Sequence, residues 1–164
     1  MKLAKESFLV PENTGEKHEH LSPSGVYKLV VTPYKTRDGS WDYTRGEIYE
    51  ITSGKLVADV KRNCPGFPIS WIEGHKNGHD YAVVAENYQG QTIIELDTGR
   101  CRDDLPKEAK QGYAFCWAEC SLLPDGRTLQ VVGCYWGDSG EYRFFDFSDP
   151  MERGWPEIPL PAAI

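Results

Sequence analysis

The sequence lacks long apolar runs, and no stretch approaches the roughly 18 residues that a membrane-spanning helix needs. The first residues include no apolar segment of signal-peptide length. Runs of basic residues are also missing, and 18 Lys and Arg against 25 Asp and Glu give a formal net charge of -7. Because nucleic-acid affinity depends on basic side chains that neutralise phosphates, we expect no nucleic-acid partner, no membrane partner and a cytoplasmic protein.

Cysteine is scarce, and its count of five is odd. Without an export signal, this count favours reduced thiols over a disulfide framework. Cys116 and Cys120 lie in one segment of strand character, and Cys134 lies in a neighbouring strand pattern. Residues four apart on a strand are separated by about 13 Å at ~3.3 Å per residue, which is too far for a shared zinc ion. The sequence therefore predicts no metal site and no cofactor.

Helix-forming patterns are nearly absent, and one short segment, 105–111, is the single helix candidate. The chain has 16 Gly, 11 Pro, 9 Tyr, 6 Phe and 5 Trp, a composition typical of many turns and many strands. Hydrophobic residues make up 40% and charged residues 26%, close to the averages of folded domains. These numbers predict an all-β protein.

Three segments of the sequence resemble one another. In each, a carboxylate follows two large apolar residues, one more apolar residue comes next, and a small or turn-forming pair ends the segment. The distances between the copies are similar, which predicts a structural repeat. The three segments are Ile48–Gly54, Ile93–Gly99 and Phe144–Pro150.

The repeat organises the predicted domains. We expect residues 1–20 to form an N-terminal strand or arm, and residues 21–164 to form a single repeat domain. Its three successive antiparallel β-meander units span approximately 21–63, 67–106 and 112–160. Each unit combines strand patterns rich in Val, Ile, Tyr, Phe and Thr with breaks rich in Gly, Pro, Asn and Asp.

The third unit has a turn at Pro124-Asp125-Gly126, then a hydrophobic strand, a short loop and an apolar closing strand. This order is similar to the blades of β-propellers of the WD40-like or YVTN-like kind, over roughly residues 21–160. The resemblance implies a propeller-like architecture and no particular activity. Three units are fewer than the four to eight blades of a closed ring, so we expect a half-propeller that closes by dimerisation, with a β-prism or β-sandwich as the alternative.

In a propeller-like arrangement, the loops between the second and third strands of each unit emerge on one face. Two of these loops, predicted at 35–45 and 136–141, are rich in aromatic and charged residues, as binding surfaces often are. The candidate ligand- or partner-binding residues are Trp41, Asp42, Tyr43, Arg45, Tyr135, Trp136 and Asp138.

No catalytic residue is predicted. Gly137-Asp138-Ser139-Gly140 is explained by turn chemistry, and the repeated carboxylates Glu50, Glu95 and Asp146 are expected to be structural. We therefore expect a non-catalytic binding or assembly protein, a possible homodimer, that binds a protein partner through the aromatic loop face or through open sheet edges. The alternative is a small-molecule enzyme with Asp42, Arg45 and Asp138 as polar groups at the centre of a closed ring.

Overall fold

Thirteen β-strands make up the described structure, a computed structural model that covers residues 12–13, 15–36, 38–39, 41–86, 90–104, 114–135 and 139–160. These ranges contain no helix, which confirms the all-β class, and accordingly no helix that could cross a membrane. The helix candidate at 105–111 lies outside the described residues. The strands are β1 (Glu12–Asn13), β2 (His18–Leu21), β3 (Tyr27–Lys35), β4 (Asp42–Glu50), β5 (Leu56–Arg62), β6 (Ile69–Ile72), β7 (Tyr81–Glu86), β8 (Gly90–Glu95), β9 (Arg100–Asp104), β10 (Cys116–Leu122), β11 (Thr128–Cys134), β12 (Glu141–Asp146) and β13 (Glu157–Ile158).

The strands form three antiparallel sheets in chain order. The first sheet has the order β1-β3-β4-β5, and β2 also pairs with β3. The second sheet is β6-β7-β8-β9 and the third is β10-β11-β12-β13. The described strands close none of them into a barrel. The second and third sheets are meanders of sequential hairpins, and the first contains the meander β2-β3-β4-β5 with β1 added beside β3. The prediction of three successive antiparallel meander units is therefore confirmed.

The chain divides into two compact units, residues 1–67 and residues 68–164. The first unit holds the first sheet, and the second unit holds the second and third sheets. The described part of the N-terminal segment contributes β1 and β2, which pair with successive parts of the same strand, β3.

In the first sheet, β3 and β4 form a long hairpin that pairs as far as Lys35 opposite Asp42. The predicted loop at 35–45 is therefore wrong, because the ladder continues to Asp42 and leaves a connection of six residues. A cross-strand aromatic pair, Tyr34 opposite Tyr43, lies within this extension, and such pairs stabilise antiparallel sheets. Farther along β4, the missing side chain of Gly46 leaves the space that the Phe67 ring occupies.

In the second compact unit, the second and third sheets share one hydrophobic core. The Trp117 ring packs on Phe145 with a centroid distance of 4.7 Å, and the backbone N–H of Cys120 donates to Ser70 Oγ at 2.9 Å. Buried His75 donates from Nε2 to the carbonyl oxygen of Phe147 at 2.8 Å, so a hydrogen bond also joins the two sheets. The core residues are Ile72, Tyr81, Val83, Ala85, Ile93, Phe115, Trp117, Cys120, Leu129, Val131, Phe145, Phe147, Met151 and Trp155.

The three repeated carboxylates all bind the turn that follows their own strand. Glu50 accepts a hydrogen bond from the Ser53 hydroxyl, and Thr98 donates to Glu95 at 2.6 Å. Ser148 donates to Asp146, also at 2.6 Å. The expected structural role of these carboxylates is confirmed, and the sequence repeat corresponds to a repeated turn.

Candidate binding surface

Trp41 lies at the tip of the β3–β4 hairpin, where the connection is held by hydrogen bonds. The backbone N–H of Trp41 donates to Thr36 Oγ1 at 3.0 Å, and the N–H of Thr36 donates to the Trp41 carbonyl, also at 3.0 Å. Gly39 supplies the left-handed conformation that the turn needs, with φ of 68°, and donates to the Thr36 carbonyl. Trp41 is nevertheless 52% exposed. The hairpin therefore presents a large aromatic side chain to solvent on an ordered backbone.

The charged residues predicted beside Trp41 are engaged in ion pairs within the chain. Lys35 Nζ lies 4.0 Å from Asp42 Oδ1. Arg45 makes two hydrogen bonds of 2.8 Å to the Asp59 carboxylate, and its guanidinium lies 3.1 Å from Glu47. These bonds, led by the one to Asp59, raise the pKa of Arg45 above its ordinary value. Arg45 is therefore a cation held in place at the half-buried surface of the sheet.

Tyr43 is buried, with 8% exposure, and lies opposite Tyr34 in the ladder. Tyr43 is buried because it lies in strand β4 and not in the predicted loop. Tyr43 supports the hairpin that carries Trp41.

A shallow groove of about 470 Å³ lies on the face of the first sheet that carries Arg45, Glu47 and Tyr49. An ion pair between Lys28 and Glu19 at 3.2 Å crosses it, and the Tyr49 hydroxyl donates to Glu47 at 3.1 Å. No residue of this groove was among the predicted site residues. The sequence signal for it was two apolar residues next to turn-forming segments, Leu21 and Ile51, and both are exposed in the structure. The groove is lined by Lys17, Glu19, Leu21, Lys28, Val30, Glu47, Tyr49, Glu50, Ile51 and Gly54.

The remaining predicted site residues belong to the second compact unit. Tyr135 is half-buried, and its ring packs edge-on against Phe115 at 5.5 Å between centroids. The Arg143 guanidinium lies over both rings, 4.1 Å from the Phe115 centroid and 5.1 Å from that of Tyr135. Tyr135 therefore packs on its own sheet. Trp136 and Asp138 lie outside the described residues, and their role stays a prediction.

Within the described residues, one group of side chains has the donor atoms for a metal ion. The ligand atoms of His79, Glu95 and Asp97 all lie within 4.8 Å of one another. The chain already pairs these atoms: His79 Nδ1 is 2.8 Å from Asp97 Oδ2, and Glu95 accepts hydrogen bonds from Tyr81 and Thr98. Burial, aided by the nearby Glu95 charge, raises the pKa of Tyr81 to about 12, so Tyr81 remains a donor. The group acts as a polar network that fixes the end of β8.

Comparison with known proteins finds a viral relative. The chain is 37% identical over 153 residues to "Uncharacterized protein R762" of Acanthamoeba polyphaga mimivirus. The match covers 93% of this chain and 59% of the relative, so the chain spans less than two thirds of that protein. No protein-family model matches the chain. No solved structure matches it either.

Proposed function

We propose that this chain is a non-catalytic binding and assembly protein that holds a protein partner through the Trp41 hairpin. The main support for the proposal is the exposure of the Trp41 side chain, which is 52%. The backbone N–H of Trp41 is at the same time held by a hydrogen bond to Thr36. Tryptophan is among the residues most enriched at the energetic centres of protein interfaces. A fixed backbone also lowers the entropy that binding would cost.

The charges around Trp41 favour binding over catalysis. A general acid or base needs a pKa near the working pH, and a nucleophile needs an activating neighbour. Asp42 lies beside Lys35, and Arg45 is held by Asp59 and Glu47. These pairs give the hairpin a surface of mixed charge, with two cations and three carboxylates, next to one exposed indole. Such a surface resembles the polar rim of an interface more than a reaction site.

An open sheet edge extends this binding surface. Among the described strands, β2 pairs with β3 alone, and all four of its residues are exposed. An edge strand of this kind can accept an extended segment of a partner through backbone hydrogen bonds. The adjoining groove offers Leu21 and Ile51 for the side chains of such a segment.

The proposal includes a propeller-like arrangement in which the three sheets are blades of an incomplete ring. It is supported by the four-stranded meander that each sheet contains, to which the first sheet adds β1, and by the repeated carboxylate turn. A second copy of the chain would supply three more blades and close a ring of the usual size.

The experiment is quantitative affinity capture with the full chain as bait, in wild-type, Trp41→Ala and Tyr142→Ala forms. Tyr142 is the matched control, because it is 65% exposed on the third sheet. We expect wild type and Y142A to retain the same partner and W41A to lose it by about 30-fold, the effect of an interface residue that contributes about 2 kcal/mol.

Thermal unfolding of the same variants separates binding from folding. W41A is expected to unfold within about 2 °C of wild type, since an exposed side chain away from the core contributes little stability. Equal capture by W41A and wild type would refute the proposal. A stability loss of about 3 kcal/mol in W41A would assign the indole to packing instead.

A further inference from the structure

We propose that Cys116 and Cys134 are an oxidation site that forms a reversible cross-strand disulfide. The two residues are directly opposite each other in the β10–β11 ladder. Facing residues of an antiparallel pair share one side of the sheet, with Cα atoms about 4.5–5.5 Å apart. Disulfides span Cα separations of about 4.4–6.8 Å, so the backbone register suits a disulfide. The Cys116 thiol donates to the Ala114 carbonyl at 3.6 Å, and forming the bond requires its side chain to turn toward Cys134.

The environment of this pair differs from that of the other three cysteines. Cys116 and Cys134 are both half-buried, so a small oxidant can reach them. Cys64 and Cys120 are buried, and burial raises the pKa of the Cys120 thiol to about 12, which suppresses its reactive thiolate. Cys101 is exposed but faces Ile94 across the ladder. Among the five, Cys116 and Cys134 alone combine access with a facing thiol.

A disulfide at this position would constrain the open end of the β10–β11 hairpin. The pair lies at the open end of β10–β11, beyond an irregularity between Trp117 and Glu119 that interrupts the ladder. The next residue after Cys134 is Tyr135, which directly precedes the loop predicted at 136–141. A covalent bond here would tie the two strand ends together at the base of that loop.

The chemistry requires a two-electron oxidant of the peroxide class. One thiol loses its proton, the resulting thiolate attacks a peroxide oxygen of H₂O₂, and the O–O bond breaks. A sulfenic acid forms, and the departing hydroxide takes up the proton from the thiol and leaves as water. The facing thiol then attacks the sulfenic sulfur, the S–O bond breaks, and the S–S bond forms with release of a second water. Two thiols are oxidised to one disulfide and one peroxide is reduced to two waters. A dithiol reductant reverses the reaction through a mixed disulfide.

The test uses the purified, reduced full chain, treated with hydrogen peroxide and then alkylated. We expect the number of free thiols to fall from five to three, the intact mass to fall by about 2 Da, and peptide mapping to find the Cys116–Cys134 link. The product is expected to remain one chain under non-reducing conditions, to melt about 5 °C higher, and to recover five thiols with dithiothreitol.

Cys101→Ser is the matched control and is expected to form the same link, whereas Cys116→Ser is expected to form none. The proposal is overturned if peroxide leaves five thiols, or if the recovered link joins other cysteines. Disulfide-joined dimers through Cys101, without the internal link, would also overturn it. Because the peptide map is made on wild type, the test stands even if C116S does not fold.

Discussion

Trp41 and Tyr43 are two residues apart on one hairpin, yet Trp41 is 52% exposed and Tyr43 only 8% exposed. The sequence shows that both residues are aromatic but does not show which of them is exposed, because the exposure of each side chain depends on where the β3–β4 pairing ends. The β3–β4 pairing ends at Asp42, so Tyr43 packs within the strand and Trp41 projects from the connection. The sequence likewise predicts Arg45 on a loop, and its partner Asp59 becomes visible only when the register of β5 against β4 is known.

At the same scale, His79 gives a prediction about pH. Its hydrogen bond to Asp97, at 2.8 Å, raises the pKa of His79 above the ordinary 6.5. The protonated ring therefore stabilises the fold. This contribution is complete below about pH 6.5 and is lost as the pH rises through the higher pKa of the folded state.

NMR titration of the His79 ring measures this effect directly. We expect a midpoint above 6.5 in wild type and a return toward 6.5 in Asp97→Asn, which removes the acceptor charge. An unchanged midpoint in D97N would assign the shift to another group.

At the scale of strands, the inner hairpins were predictable and the outer strand β9 was not. The inner strands β7 and β8 are almost wholly buried, and each contains a pair of adjacent large apolar residues, Val83-Val84 and Ile93-Ile94. The outer strand β9 reads Arg-Cys-Arg-Asp-Asp and is mostly exposed, so no hydrophobic pattern marks it. It forms because β8 offers an unpaired edge, a tertiary cause that local sequence does not record.

Gly133 in β11 provides a prediction at this scale. A Cβ at this position would lie 2.3 Å from the carbonyl oxygen of Cys116 and 2.7 Å from the Phe115 ring. The oxygen belongs to the paired backbone of β10 and cannot retreat without disrupting the ladder. Gly133→Ala is therefore expected to cost about 2 kcal/mol or more of unfolding free energy, as overpacked sites do.

Urea denaturation of Gly133→Ala and Gly140→Ala tests this expectation. A Cβ on Gly140 would lie 3.7 Å from its nearest neighbour, an ordinary contact, so G140A is expected to remain within about 0.5 kcal/mol of wild type. Equal stability of the two variants would contradict the close approach of β10 and β11.

At the scale of the molecule, the number of sheets was predictable and their packing was not. Each unit ends its third strand with a carboxylate that binds its own turn, a local chemistry that the sequence repeats three times. The packing of sheets depends on complementary side chains from distant segments, such as Ser70 with Cys120 and His75 with Phe147. Residue types in one sequence do not identify such pairs.

We proposed that the three sheets are blades of a ring that a second copy of the chain completes. Light scattering on the purified full chain, across a range of concentrations, measures the native mass directly. Ring closure by a second copy predicts twice the chain mass of 18.6 kDa, since a dimer would cover the blade faces at the ends of an incomplete ring. A mass of 18.6 kDa at every concentration would contradict closure by a second copy and favour a self-contained prism or sandwich.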